Sequence, residues 1–249
     1  MSLDDRFAAA LAAASPDPGE PALLPDRLAR AAARVLAVDG SGSDVGVGFS
    51  VRAGARGRTP LAASSAEAGR AERLQFTVGA GPCTAVYDTG QPVFAVPTDL
   101  RSRWPAYADL LFARTPYRGV VCLPLRSTLT GIGVLDVFLA EPADVPRLDV
   151  FDALAVGELI TSALGDTALW SSWTAADSPA WLHTPAALRR AAVWEAVGRV
   201  AAAWDVDAPA ALALLRAHAW ATGRSVDSLA ADLLAGRLTP ADVAGRPAD

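Results

Sequence analysis

Residues 184–238 carry so many start and stop signals that one local structure fits them. Thr184 and Pro185 supply a cap and a first-turn residue whose missing N–H costs nothing. Val193, Ala196, Val197 and Val200 then recur at three- and four-residue spacing, the buried stripe of a helix over 186–204. Asp205-Val206-Asp207 breaks that helix. Asp207 caps a second over 208–222, with Pro209 in its first turn and Leu212, Leu215 and Ala219 facing inward beside Leu214. Gly223 stops it with a residue free to take positive φ. Ser225 caps a third helix through Ala235, with Leu229, Leu233 and Leu234 apolar, and Gly236 ends it. Three helices this short bury little alone. The first is therefore expected to continue an upstream segment and pair with a second copy of the chain.

The remainder must supply a core of its own. With 249 residues, 52% hydrophobic and 20% charged, the chain suits one or two compact domains. The net charge of −5 argues against a general nucleic-acid coating protein and against a basic membrane-surface binder. No apolar stretch is long enough to span a bilayer. The opening MSLDDRFAAALAAASPDPGE lacks the basic start of a signal peptide, and Cys83 and Cys122 make no disulfide framework, so a cytoplasmic protein is expected. Lysine and asparagine are absent, a bias of composition without functional content.

Along the chain, residues 1–20 read as an Ala-rich helix and arm, and 23–38 as an amphipathic helix with Leu24, Leu28, Ala31, Ala32 and Val35 on one side. Strands are expected at 45–51, 61–64, 91–96, 119–125 and 132–139. Helical or looped structure is expected at 66–76, a short helix at 82–87 and a helix at 104–114. A long helix over 146–170 repeats Leu148, Phe151, Leu154, Ala155, Ile160, Ala163 and Leu164 at helical spacing. Strands joined by turns, with helices at both ends, imply an α+β fold with a mostly antiparallel sheet covered by helices. The expected organisation is an N-terminal arm (1–20), a sheet domain (21–170), a linker (171–184), a three-helix module (185–240) and a tail (241–249).

Two resemblances sharpen this. The run Ala196-x-Gly198, Ala210 to Leu215, Arg216-Ala217-His218-Ala219, Thr222-Gly223-Arg224 and Leu229-Ala230 resembles the ANTAR domain, a family of RNA-binding transcription antiterminators. It covers 189–238 without a gap, and Val197 stands where many members carry a basic residue. The segments Gly79-Ala80-Gly81-Pro82-Cys83, 99–104, 120–125 and 131–135 resemble a GAF domain, an antiparallel sheet with a ligand pocket over one face, found mainly in sensors and dimerisation units. Together they imply a cytoplasmic, homodimeric regulator that binds tandem hairpins in nascent RNA, with no DNA specificity and no membrane partner. By position, the ANTAR resemblance assigns RNA contact to Gly198, Arg199, Arg216, Ala219, Trp220, Gly223 and Arg224. Arginines would meet phosphate or stack on a base, and Trp220 would stack on an unpaired loop base.

The candidate ligand pocket is drawn from Phe76, Cys83, Phe94, Trp104, Tyr107, Tyr117 and Phe138, with Phe49 and Leu110 beside them. Such rings hold a flat ligand by stacking, or fill the space between sheet and helices. The ligand is unknown: a small molecule is the class such a pocket takes, and two isolated histidines, His183 and His218, give no reason to expect a metal. There is no phosphate-binding glycine loop, no dinucleotide motif and no Ser-centred nucleophile elbow, so no catalytic residue is assigned and no enzyme is expected. Two other readings stay open. The module's acids at 195, 205, 207, 227 and 232 nearly balance its arginines, which favours a dimeric sensor working through a protein partner. Cys83, at a helix start, could instead carry a low-pKa thiol for redox chemistry, against the simpler reading of a small buried residue.

Overall fold

The computed structural model describes residues 1–14, 24–38, 44–52, 57–126, 129, 132–164 and 183–244. The elements follow in the order α1 (Leu3–Ala13), α2 (Leu24–Val35), β1 (Val45–Arg52), β2 (Arg58–Ala63), α3 (Ala66–Val78), α4 (Pro82–Thr89), β3 (Val93–Ala95), α5 (Pro97–Arg103), α6 (Pro105–Arg114), β4 (Gly119–Pro124) and β5 (Gly133–Leu139). A 3-10 helix (Pro142–Arg147) leads to α7 (Val150–Leu164). Then come α8 (Pro185–Trp204), α9 (Ala208–Ala221), α10 (Val226–Leu234) and α11 (Pro240–Val243).

The five strands form one antiparallel sheet in the order β2-β1-β5-β4-β3. The fold is α+β, as the sequence implied. Strand alternation decides which helices cover which face. Val47, Phe49 and Val51 of β1, Val121 and Leu123 of β4, and Leu135 and Val137 of β5 point to one side, into a core shared with α1, α2 and α7. Val120 and Cys122 of β4 and Val134 and Phe138 of β5 point to the other, against α3, α4 and α6. On this second face β1 offers Gly46, Gly48 and Ser50. A Cβ on Gly46 would lie 2.6 Å from Cζ of Tyr117, so only glycine lets that ring lie on the strand.

A third core belongs to the helical part. Val193, Ala196, Val197 and Val200 of α8 meet Leu212, Leu215 and Ala219 of α9 and Leu229, Ala230 and Leu233 of α10. The expected caps all form. Thr184 Oγ1 accepts from the Ala187 amide at 3.1 Å, Asp207 Oδ1 from Ala210 at 2.8 Å and Ser225 Oγ from Ser228 at 3.1 Å. Gly223 and Gly236 take φ of +64° and +74°, as their stop positions require. The first residues of the expected tail instead form α11, whose Pro240 carbonyl accepts from Trp204 Nε1 at 2.9 Å.

Three expectations need correction. Residues 146–149 lie in the 3-10 helix and the turn before α7, and Phe151 is 78% exposed rather than in the core. α7 presents Ala153, Val156, Ile160 and Leu164 inward, and Phe151 falls off that stripe. The strand expected at 91–96 shortens to Val93–Ala95, because Pro97 opens α5. Residues 15–20 of the arm, 165–170 of the long helix, 171–182 of the linker and 245–249 of the tail lie outside the described residues, and with them the expected continuation of α8 upstream. Among the described residues, no helix is long and apolar enough to cross a membrane.

Candidate functional site

The sheet face under α3 and α4 holds a buried charge network. Asp136, fully buried in the middle of β5, is registered opposite Gly48 of β1 on one side and Cys122 of β4 on the other. Cys122 Sγ donates to Asp136 Oδ1 at 2.6 Å. The bare Cα of Gly48 leaves room for Glu72 of α3 to lie over the sheet; a Cβ there would meet Glu72 Cγ at 3.0 Å. Arg58 Nη2 donates to Glu72 Oε2 at 2.7 Å and to the Glu72 carbonyl at 2.8 Å. Glu72 Oε1 and Asp136 Oδ2 are both buried and accept from no group, and a proton held between the two acids is what would satisfy both. Burial, followed by the Glu72 carboxylate, holds the Asp136 carboxyl well above the usual carboxylate range.

Cys83 opens α4 beside this network. Its amide donates to Gln75 Oε1 at 2.9 Å, and Gly81 is bare where a side chain would strike Gln75. Its Sγ lies 3.8 Å from Ser50 Oγ, which is 3.0 Å from the Tyr87 hydroxyl. The thiol is fully buried, and burial pushes its pKa well up despite the pull of Arg58. The helix start does not give the low-pKa nucleophile of the redox reading, because enclosure outweighs the dipole.

The expected pocket rings do not share one site. Phe49 lies on the opposite face of the sheet, and Phe76 belongs to the helical core. Phe94 is 43% exposed on edge strand β3, and Arg103 covers the Trp104 ring at 4.2 Å. Tyr107, Tyr117 and Phe138 pack with Cys83 and Cys122 in the core under α3–α6, and Leu110 lies at its edge. Tyr117 and Phe138 stack with centroids 5.4 Å apart. These rings fill three separate layers, because strand alternation and helix facing sort aromatic residues by side, which composition does not reveal.

The residues expected to touch RNA also divide. Gly198 has open space around it, and Arg199 is half-exposed and paired with Glu195 at 2.9 Å. Trp220 is 54% exposed and Gly223 lies at the surface, whereas Ala219 is fully buried between the helices. Arg224 is bonded to Asp232. Arg216 turns toward the sheet domain. Its Nε donates to the Phe76 carbonyl at 3.0 Å, and its guanidinium lies 5.1 Å from the Phe76 ring. Arg190 of α8 covers the same ring at 3.2 Å and donates to the Arg58 carbonyl at 3.2 Å. It is 1% exposed, and burial lowers its pKa to about 10. Val226 N donates to Thr77 Oγ1 at 3.2 Å, completing the contact between α10 and α3.

Sequence reasoning did not single out Arg58, Glu72, Asp136 or Arg190. Faint signals were there: Asp136 interrupts an apolar strand, and Arg190 sits on the stripe that runs through Ala187 and Val193. Among the described residues no group of three or more His, Cys, Asp or Glu is arranged to hold a metal ion. Compared with known proteins, the chain matches no family model and no curated protein.

Proposed function

We propose that this chain is a cytoplasmic, homodimeric regulator of transcription antitermination, with a GAF-like sheet domain that senses a signal and an ANTAR-like module that binds paired RNA hairpins. One observation carries this reading. The module has its own three-helix core, yet it is anchored to the sheet domain through Phe76, which sits between Arg190 of α8 and Arg216 of α9. That is a junction through which a change under α3 reaches the module. The exposed Trp220, with Gly198, Arg199 and Gly223, offers the open RNA-facing surface, and the bare Phe151 on α7 offers a surface for a second copy. The ligand remains a small molecule of unspecified class in this reading, and no catalytic step is assigned.

A second reading has its own support. Arg216 is engaged against the sheet domain and Arg224 and Arg199 are each paired with an acid, which leaves a weak cationic face, while Trp220 and Leu188 are bare apolar surface of the kind protein partners cover. Salt-titrated binding of the full chain to RNA carrying two tandem stem-loops separates them. Trp220→Ala is the informative variant, since substituting Arg216 would disturb the interior contact as well. Loss of a base stack should weaken binding by about 1–3 kcal/mol. Binding no tighter than to arbitrary RNA, or unchanged in the variant, would sink the RNA reading.

A further inference from the structure

A cleft of about 620 Å³ opens between the sheet domain and the module, walled by α2 and β2, by α3 and by the first turns of α8 and α10. Its volume is that of a small-molecule site. We infer that this cleft binds a small phosphorylated polyol of the sugar-phosphate class, gripping the phosphate with Arg70, Arg73 and Arg189 and the hydroxyls with Asp227.

Four observations converge. The three arginines come from both walls, and among the described residues neither Arg73 nor Arg189 has a carboxylate within ion-pair distance, while Arg70 is paired with Glu67 at 3.3 Å and donates to the Arg114 carbonyl at 3.0 Å. Among its charged neighbours Arg73 feels Asp227 first and then Arg189 and Arg70, and Gly69 leaves its guanidinium room, a Cβ there lying 3.3 Å from Nη1. Three guanidiniums converging on one cleft suit an anion with several acceptor oxygens.

Second, the starts of three helices line the cleft: α3 at Ser65 and Ala66, α8 at Pro185 and Ala186, and α10 at Ser225. Each brings the positive end of its dipole to the cleft wall. Third, Asp227 points to the other half of the ligand. Its side chain is 9% exposed, its Oδ1 lies 3.7 Å from Arg190, and its Oδ2 accepts from no group. A buried carboxylate oxygen with no partner asks for a donor, which a sugar hydroxyl supplies. Asp26, near Arg30 and Arg189, stands at the rim as a second acceptor. Fourth, the lining contains prolines and alanines but no aromatic ring, so nothing stacks on a nucleobase.

Arg70 and Arg73 belong to α3 and Arg189 and Asp227 to the module, so such a ligand bridges the two parts and favours their docked arrangement. Binding here does not depend on the RNA reading, and either fails alone.

The test is calorimetric titration of the full chain with ribose 5-phosphate, inorganic phosphate and ribose. Ribose 5-phosphate should bind, phosphate more weakly and ribose not measurably. Arg73→Gln and Arg189→Gln should each weaken both phosphate probes by about 10-fold or more, the worth of one charge-assisted hydrogen bond. Asp227→Asn should weaken ribose 5-phosphate alone. Arg70→Gln, at a half-exposed position where folding is least at risk, should change affinity in the same direction as the other arginines. No binding of either phosphate probe in the millimolar range, or equal binding by wild type and folded arginine variants, overturns the site. Equal affinity for phosphate and ribose 5-phosphate, untouched by Asp227→Asn, overturns the polyol assignment.

Discussion

Replacing Asp136 by asparagine tests the buried acid pair, because it supplies permanently what the wild type must borrow as a proton. The unfolded carboxyl releases its proton near pH 3.9, about the ordinary aspartate value. The folded carboxyl holds it to much higher pH, since it is buried and faces Glu72, which is itself bonded to Arg58. Over that window the folded chain carries one proton more than the unfolded chain. A raised acid therefore contributes stability in full below the unfolded pKa, and loses it as pH climbs toward the folded one. The slope is about −1.4 kcal/mol per pH unit. In Asp136→Asn the amide nitrogen donates to Glu72 Oε1 and the amide oxygen accepts from Cys122 Sγ, at the same volume, with no proton to acquire. Asp26, which burial also raises, acts alike in both proteins and cancels in the difference. Urea unfolding followed by tryptophan fluorescence should show the variant gaining on the wild type as pH climbs above about 4, by up to about 1.4 kcal/mol per pH unit until the folded carboxyl ionises. Parallel pH profiles for the two proteins would refute the shared proton. A variant several kcal/mol less stable at neutral pH would show that Asp136 works as a buried anion instead.

Three other outcomes follow from the packing. Phe76→Ala removes the ring between Arg190 and Arg216 and should cost about 3–5 kcal/mol, read as a lower urea midpoint and faster proteolytic cleavage between sheet domain and module; unchanged cleavage would mean the ring does not hold the two together. Gly46→Ala drives a methyl into the Tyr117 ring and should destabilise by about 1–3 kcal/mol in thermal unfolding, whereas an exposed Gly90→Ser control tests only the turn. Cys83 should resist alkylation by iodoacetamide at neutral pH until urea opens the fold, and rapid labelling of the native chain would revive the redox reading.

Much of the helical part was legible because its information is local. A cap, a first-turn proline and a positive-φ glycine act within four residues, and Thr184, Asp207, Ser225, Gly223 and Gly236 behave in the structure as their positions imply. The sheet was legible for a related reason: alternation in 45–51 marks a strand, and the strongly apolar runs 119–125 and 132–139 mark strands buried on both faces once helices lie on each side. Strand ends and the 3-10 helix before α7 were not, since hydrogen bonds to neighbours decide them.

The site belongs to the other kind of information. Arg216 looks the same in the sequence whether it meets RNA or the carbonyl of Phe76, 140 positions away. Asp136 reads as a lone carboxylate in an apolar strand until Glu72 and Cys122 come beside it. Cys83 reads as either a small buried residue or an activated thiol until Ser50 and Gln75 close over it. By itself, then, the sequence determined the caps, the stops, the rough positions of the strands and the α+β class, because those depend on backbone geometry and on neighbours within a turn. Only the tertiary structure decided which arginines are spent on docking the module and which oxygens are left needing a proton or a donor, because a polar group's role depends on the partner that folding brings to it.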